Sequence, residues 1–162
     1  MFGRHKNAVV EAGTPAPSFR LKDLDGSTVS LDEIESAGPA LLAFFKVSCP
    51  VCQLAMPYLE RLSASSSVKV IGISQDDAAD TQAFNQRFGV TFPTLLDSSK
   101  EKYPASNAFG ISTVPSLFLV EPDGQVSTAF NGFSKRDFEA LGRRAGVQTF
   151  RPEDNVPEWK AG

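Results

Sequence analysis

Cys49 and Cys52 are the residues of this chain best suited to covalent chemistry, and they are its only cysteines. They stand three apart, with Pro50 and Val51 between them. The run Ala40-Leu41-Leu42-Ala43-Phe44-Phe45 just before them is continuously apolar, as a strand covered on both faces reads. Beyond them Cys52, Met56, Leu59 and Leu62 recur at helical spacing, and Pro50 suits a first helical turn. The pair therefore falls where a strand hands over to a helix across residues 50–64. Positions i and i+3 are neighbours on a helix surface, which can bring the Cβ atoms within the roughly 3.5–4.5 Å a disulfide needs. A helix start also offers unpaired N–H groups and the positive end of the dipole, which favour a thiolate. Cys49, outermost, is the expected nucleophile. Cys52, one turn in and on the buried stripe, is the expected resolving thiol. Lys46 closes the apolar strand three residues before Cys49 and is an expected modulator of that thiol's acidity, because an ammonium beside a thiolate favours the charged form.

Other uses of the pair fare worse. A zinc site wants four ligands; there is no third cysteine, and the single histidine, His5, lies in a loose leader. A purely structural bridge closing so short a loop would constrain the unfolded chain weakly. Neither a metal nor an organic cofactor is expected.

The whole chain is consistent with one packed domain. It has 162 residues, 41% hydrophobic and 22% charged, which is ordinary for a globular protein and excludes wholesale disorder. The net charge of −3 argues against a nucleic-acid groove. No run approaches the roughly 18 apolar residues of a membrane span. The first residues show only Ala8-Val9-Val10 before Glu11, too short for a secretory h-region; the sequence as written reads as cytoplasmic, and as periplasmic if a signal has been removed. Residues 1–12 read as a leader, 13–146 as the domain, and 147–162, with the only tryptophan, Trp159, as a tail docked on it.

The elements that must position the cysteines follow along the chain. Val68 to Ile73 reads as a strand, 78–88 as a helix stopped by Gly89, and 94–96 as a short strand. Residues 100–109 are weakly helical. Ser116 to Val120 is a strand, Pro122-Asp123-Gly124 a turn, and 125–130 the returning hairpin partner. Ser134 caps a last helix with Phe138, Leu141 and Ala145 facing inward, Arg143 and Arg144 in its final turn, and Gly146 after it. Pro57 is expected to kink the first helix. Strands alternating with helices imply parallel pairing with right-handed crossovers, and the hairpin adds an antiparallel edge. The expected class is α/β, a mixed central sheet with helices on both faces.

With the cysteines on a strand-to-helix junction, residues 13–145 resemble the thioredoxin fold, and within it the redoxin group of TlpA-like, AhpC/TSA-related thiol–disulfide oxidoreductases. Gly13-Thr14-Pro15-Ala16-Pro17-Ser18-Phe19 is similar to a redoxin opening, and Asp23-Leu24-Asp25-Gly26 follows as an early turn. Pro57 matches the family's proline in the active-site helix. Thr113-Val114-Pro115 looks like its cis-proline loop, and Gly132 stands where the family has a glycine beside the substrate groove. The long stretch between Cys52 and Pro115 is similar to the TlpA-like insertion. The resemblance implies a Cys49–Cys52 dithiol/disulfide exchanged with protein or small-thiol disulfides and an upstream thiol reductant; a monomer is expected. It implies a groove formed by Thr113, Val114, Pro115 and Gly132. Three family features are missing: Ser48 replaces a tryptophan, and Ala43 and Ala55 replace acids, leaving solvent, Asp76 or Lys46 to accept a proton from Cys52.

Two rival functions share the pattern. Peroxiredoxins resemble P-x-x-x-T-x-x-C around their peroxide-reducing cysteine. Counting back from Cys49 meets Lys46 and Leu42, and from Cys52 meets Cys49 and Phe45, so the oxygen-positioning groups are not there. A non-catalytic binding module would use the groove and Trp159 as an anchor.

Overall fold

The computed structural model describes residues 8–162, so His5 lies outside the described residues. Its strands are β1 (Arg20–Asp23), β2 (Thr28–Ser30), β3 (Ala40–Phe45), β4 (Lys69–Ser74), β5 (Thr94–Leu96), β6 (Ser116–Val120), β7 (Val126–Asn131), β8 (Phe133–Ser134) and β9 (Trp159–Lys160). The helices are α1 (Leu31–Ser36), α2 (Pro50–Leu62), α3 (Ala78–Phe88), α4 (Pro104–Ala108) and α5 (Lys135–Ala145). Seven strands form one sheet in the order β2-β1-β5-β4-β3-β6-β7, and β8 pairs with β9 apart from it.

β3 is central because all six of its residues are apolar and buried. It pairs in parallel with β4 and antiparallel with β6. Side chains alternate across a strand, so Leu41, Ala43 and Phe45 enter one core while Ala40, Leu42 and Phe44 enter the other. The first core also takes Met56 and Leu59 of α2, Phe84 of α3 and Phe138 of α5. The second takes Leu31 and Ile34 of α1 and Ala105 of α4, with Phe109 just beyond it. The expected mixed sheet with helices on both faces is therefore present. Phe44 anchors the second core, with ring centroids 5.2 Å from Phe109 and 5.8 Å from Phe118.

The segment before β3 holds more structure than the expected early turn. β1 and β2 form a hairpin around that turn, and β1 adds antiparallel to β5. α1 opens on a capping box, in which the Ser30 hydroxyl accepts the Glu33 N–H while Glu33 reaches back to the Ser30 N–H. These strands are only four and three residues long, too short for a periodic signal. The single weak helix expected over 100–109 is instead a 3₁₀ turn at Ser99–Glu101 and the separate α4. Lys102 and Tyr103, at φ 64° and 51°, break it by entering the left-handed region. Pro104 then restarts the helix at a position that needs no N–H donor.

The segment after α5 follows the surface. Thr149 is buried and its hydroxyl donates to the Phe138 carbonyl. Arg61 of α2 donates to the Thr149 carbonyl at 2.8 Å and grips both Asp154 oxygens, at 2.5 and 3.1 Å. That guanidinium holds the Asp154 carboxyl down to about 2. β9 then pairs antiparallel with β8, Phe133 opposite Lys160 and Ser134 opposite Trp159.

Candidate active site

Cys49 is the N-cap of α2, and Pro50 begins the helix. The Cys52 N–H donates to the Cys49 sulfur at 3.2 Å, so this side chain satisfies one of the helix's orphan donors. The Cys49 thiol is half-buried and reaches the Val114 carbonyl at 3.5 Å. Cys52 is fully buried on the stripe with Met56 and Leu59. Burial first, and then the hydrogen bond and negative charge of Cys49, push the Cys52 thiol well above its ordinary value; backbone hydrogen bonding at Lys46 opposes this. Both thiols are free.

The loop between β3 and α2 is held from two sides. The Asp76 carboxyl accepts the Val47 N–H at 2.8 Å, and the Gln53 side-chain amide donates to the Val47 carbonyl at 2.9 Å. Asp76, one of the groups expected to take a proton from Cys52, thus serves the backbone two residues before Cys49. Gln53 carried no sequence signal.

Val114–Pro115 is a cis peptide. Thr113 is exposed, Val114 half-buried and Pro115 buried, with β6 starting at the next residue. The Thr113 carbonyl accepts the Ser116 hydroxyl at 2.7 Å, which pins the loop to the start of β6. Gly132 donates its N–H to the Pro115 carbonyl at 2.8 Å and has φ +73°. The sequence-predicted residues Cys49, Cys52, Val114, Pro115 and Gly132 are therefore drawn into one neighbourhood. Lys46 and Thr113, both exposed, line the open cleft of about 600 Å³ that Cys49 faces.

Three further cleft residues gave no signal in the sequence. Gln75 follows β4 and donates to the Ser106 hydroxyl at 2.9 Å. Tyr103 is placed there by its left-handed backbone. Gly162 arrives from far along the chain. Among the described residues no group of three or more His, Cys, Asp or Glu converges on a metal-sized site.

A dithiol at a helix start, facing a cis-proline loop across the end of a mixed sheet, is built for disulfide exchange. The chain is a thioredoxin-fold thiol–disulfide oxidoreductase. It belongs to the AhpC/TSA family, whose sequence pattern matches residues 12–129. It is 30% identical over 129 residues to the thiol-disulfide oxidoreductase ResA of Halalkalibacterium halodurans, covering 77% of this chain and 71% of that one. Its fold is similar to the thioredoxin domain of a thiol-disulfide oxidoreductase from Bacteroides vulgatus, with a TM-score of 0.74 at 19% identity over 84% of this chain and 99% of the other. A peroxidoxin, BcpB of Mycobacterium tuberculosis, shares the fold as well, with a TM-score of 0.68 at 21% identity over 84% of this chain and 94% of that one.

The raised Cys52 thiol has a measurable consequence. In a Cys49→Ser variant the charge of Cys49 disappears but burial, the largest cause, remains. Free cysteine ionises near pH 8.5. Cys52 in that variant is expected to alkylate with iodoacetamide more slowly than free cysteine at pH 8, with a midpoint displaced upward. Labelling at the free-cysteine rate would contradict this.

Proposed function

We propose that Cys49 is the attacking sulfur and Cys52 the resolving one, and that the substrates are disulfides of extended protein segments. The Cys49 thiolate attacks one sulfur of the partner's disulfide. A Cys49–partner bond forms, the partner's S–S bond breaks, and the electron pair leaves on the partner's other sulfur, which takes up a proton. Cys52 then gives its proton to solvent and attacks the Cys49 sulfur. The Cys49–Cys52 disulfide forms and the partner departs as a dithiol. A separate thiol reductant restores the pair, and the relative potentials set the direction of flow.

The observation that carries this reading is the N-cap placement of the Cys49 sulfur, half-exposed at the cleft, with Cys52 buried one turn behind. The raised Cys52 thiol supports the order of steps. Burial, the largest cause, keeps the Cys52 proton in place at the outset, and the smaller opposition from Cys49 is removed once that sulfur is tied up in a mixed disulfide. A partner strand lying along Val114–Pro115 and Gly132 would be held by backbone pairing.

Removing the resolving sulfur tests the order. Cys52→Ser protein mixed with oxidised insulin is expected to accumulate an adduct, visible on a non-reducing gel and released by dithiothreitol. If no covalent species forms, Cys49 is not the attacking group in this sequence of steps.

A further inference from the structure

The segment Trp159–Gly162 lies where a partner strand would lie. β9 runs antiparallel to β8, which follows Gly132 directly. A Cβ built on Gly132 would stand 2.5 Å from the Lys160 carbonyl oxygen and 3.5 Å from the Ala161 Cα. A Cβ on Gly162 would stand 2.1 Å from the Val114 carbonyl oxygen and 3.3 Å from the Pro115 Cδ. That carbonyl is the one the Cys49 thiol reaches at 3.5 Å. The segment therefore crosses Gly132, runs onto the cis peptide and ends against the same oxygen as the nucleophile. It fits only because glycine stands at both points of closest approach.

The hold on this segment is uneven. Residues 147–154 are fastened by the buried Thr149, the Phe150 ring 4.7 Å from Tyr58, and the Arg61–Asp154 pair. A Cβ on Gly142 of α5 would meet the Thr149 hydroxyl at 2.2 Å, so this part is pressed closely onto the helix. From Pro157 onward every residue is exposed. There the attachments are a two-residue ladder, the Lys135 N–H donating to the Glu158 carbonyl at 2.9 Å, and an exposed Lys135–Glu158 pair at 3.7 Å. A ladder that short is marginal by itself, and an exposed ion pair adds little.

We infer that Trp159–Gly162 is a built-in occupant of the partner groove, and that extended disulfide-bearing segments bind by displacing it while residues 147–154 stay docked. This rests on the proposed function and adds its regulation. Small disulfides reach Cys49 through the open cleft, whereas a partner needing strand pairing along Gly132 must first open the segment. The apparent affinity for such a partner is reduced by the fraction of molecules already open. The favoured partner has a glycine-sized residue where it crosses the Val114 carbonyl.

Trp159 is the only tryptophan and is 59% exposed, so its emission reports on the segment. Insulin B chain with both cysteines replaced by serine cannot react. Titrated into the full chain, it is expected to lower the Trp159 anisotropy in a saturable way as the segment is freed. In parallel, Lys160→Pro, which cannot donate to a ladder, is expected to raise the ratio of insulin reduction to hydroxyethyl disulfide reduction by about tenfold, chiefly through KM. Saturable peptide binding that leaves Trp159 unchanged overturns the inference, as does a ratio in Lys160→Pro that stays flat or falls. If neither disulfide is reduced by any form, the disulfide-exchange assignment of the cysteines fails, and the Trp159 titration alone decides whether the groove is covered.

Discussion

Cys49→Ser is expected to lower the rate of insulin reduction by at least about 10³-fold while leaving the protein folded, because a hydroxyl at neutral pH is not a competent nucleophile for a disulfide. The N-cap position makes this separation clean. Serine is among the best N-cap residues, so its hydroxyl can accept the Cys52 N–H that the sulfur accepts at 3.2 Å. Thermal unfolding of the variant in its reduced form should therefore stay close to that of the reduced parent. Retention of insulin reduction would move the chemistry to Cys52 or out of this cleft. A lost fold with lost activity would show the sulfur to be structural, contrary to its half-exposed placement.

Asp97→Ala is expected to be the most damaging single change outside the hydrophobic core. Asp97 is fully buried, and its carboxyl accepts the Ala105 N–H at 2.9 Å, the Ser106 N–H at 2.7 Å and the Ser106 hydroxyl at 2.5 Å. It thereby satisfies the start of α4 and, through Ser106, the Gln75 amide at the cleft. Alanine leaves these buried donors without a partner, at about 1–3 kcal/mol each. Allowing for the relief of no longer burying a carboxyl, the expected loss is about 3 kcal/mol. For a chain of this size that corresponds to a melting temperature lower by about 6–12 °C. Asp97→Asn keeps one acceptor oxygen and should fall between the two. Urea midpoints compare the three forms, and an unchanged midpoint in Asp97→Ala would show that solvent can take over the bonds.

The sequence disclosed those parts of the site that are local. Cys49, Pro50 and Cys52 announce a helix start through residue type and spacing alone, and Ala40–Phe45 announces a doubly buried strand through its unbroken apolar run. The Val114–Pro115 loop and Gly132 came from family resemblance; the backbone has a cis peptide at Val114–Pro115, and the bond from the Gly132 N–H to the Pro115 carbonyl was not legible. What stayed hidden is non-local. β1 buries a single side chain fully, Leu21, so alternation has nothing to display. α1 was legible in principle through Ser30 and Glu33, a spacing that reads as a capping box. Asp97 looks like any loop acid until Ala105 and Ser106 close over it. Gly162 says nothing by itself, since its meaning lies in a carbonyl almost fifty residues earlier. Tyr103, left-handed just before a proline, is a backbone state that neither residue type advertises.

The clamp of Arg61 on Thr149 and Asp154 also works as an anchor for a leash. Only four residues lie between Asp154 and Trp159, so a segment that leaves the groove never travels far. A short flexible tether holds Trp159–Gly162 at an effective concentration on the order of millimolar. Free segments present at micromolar levels would lose that contest unless each bound far more tightly than the tethered one. If the segment covers the groove as inferred, the arrangement would filter by strength of engagement, turning away chance encounters with unfolded chain and admitting a well-matched client.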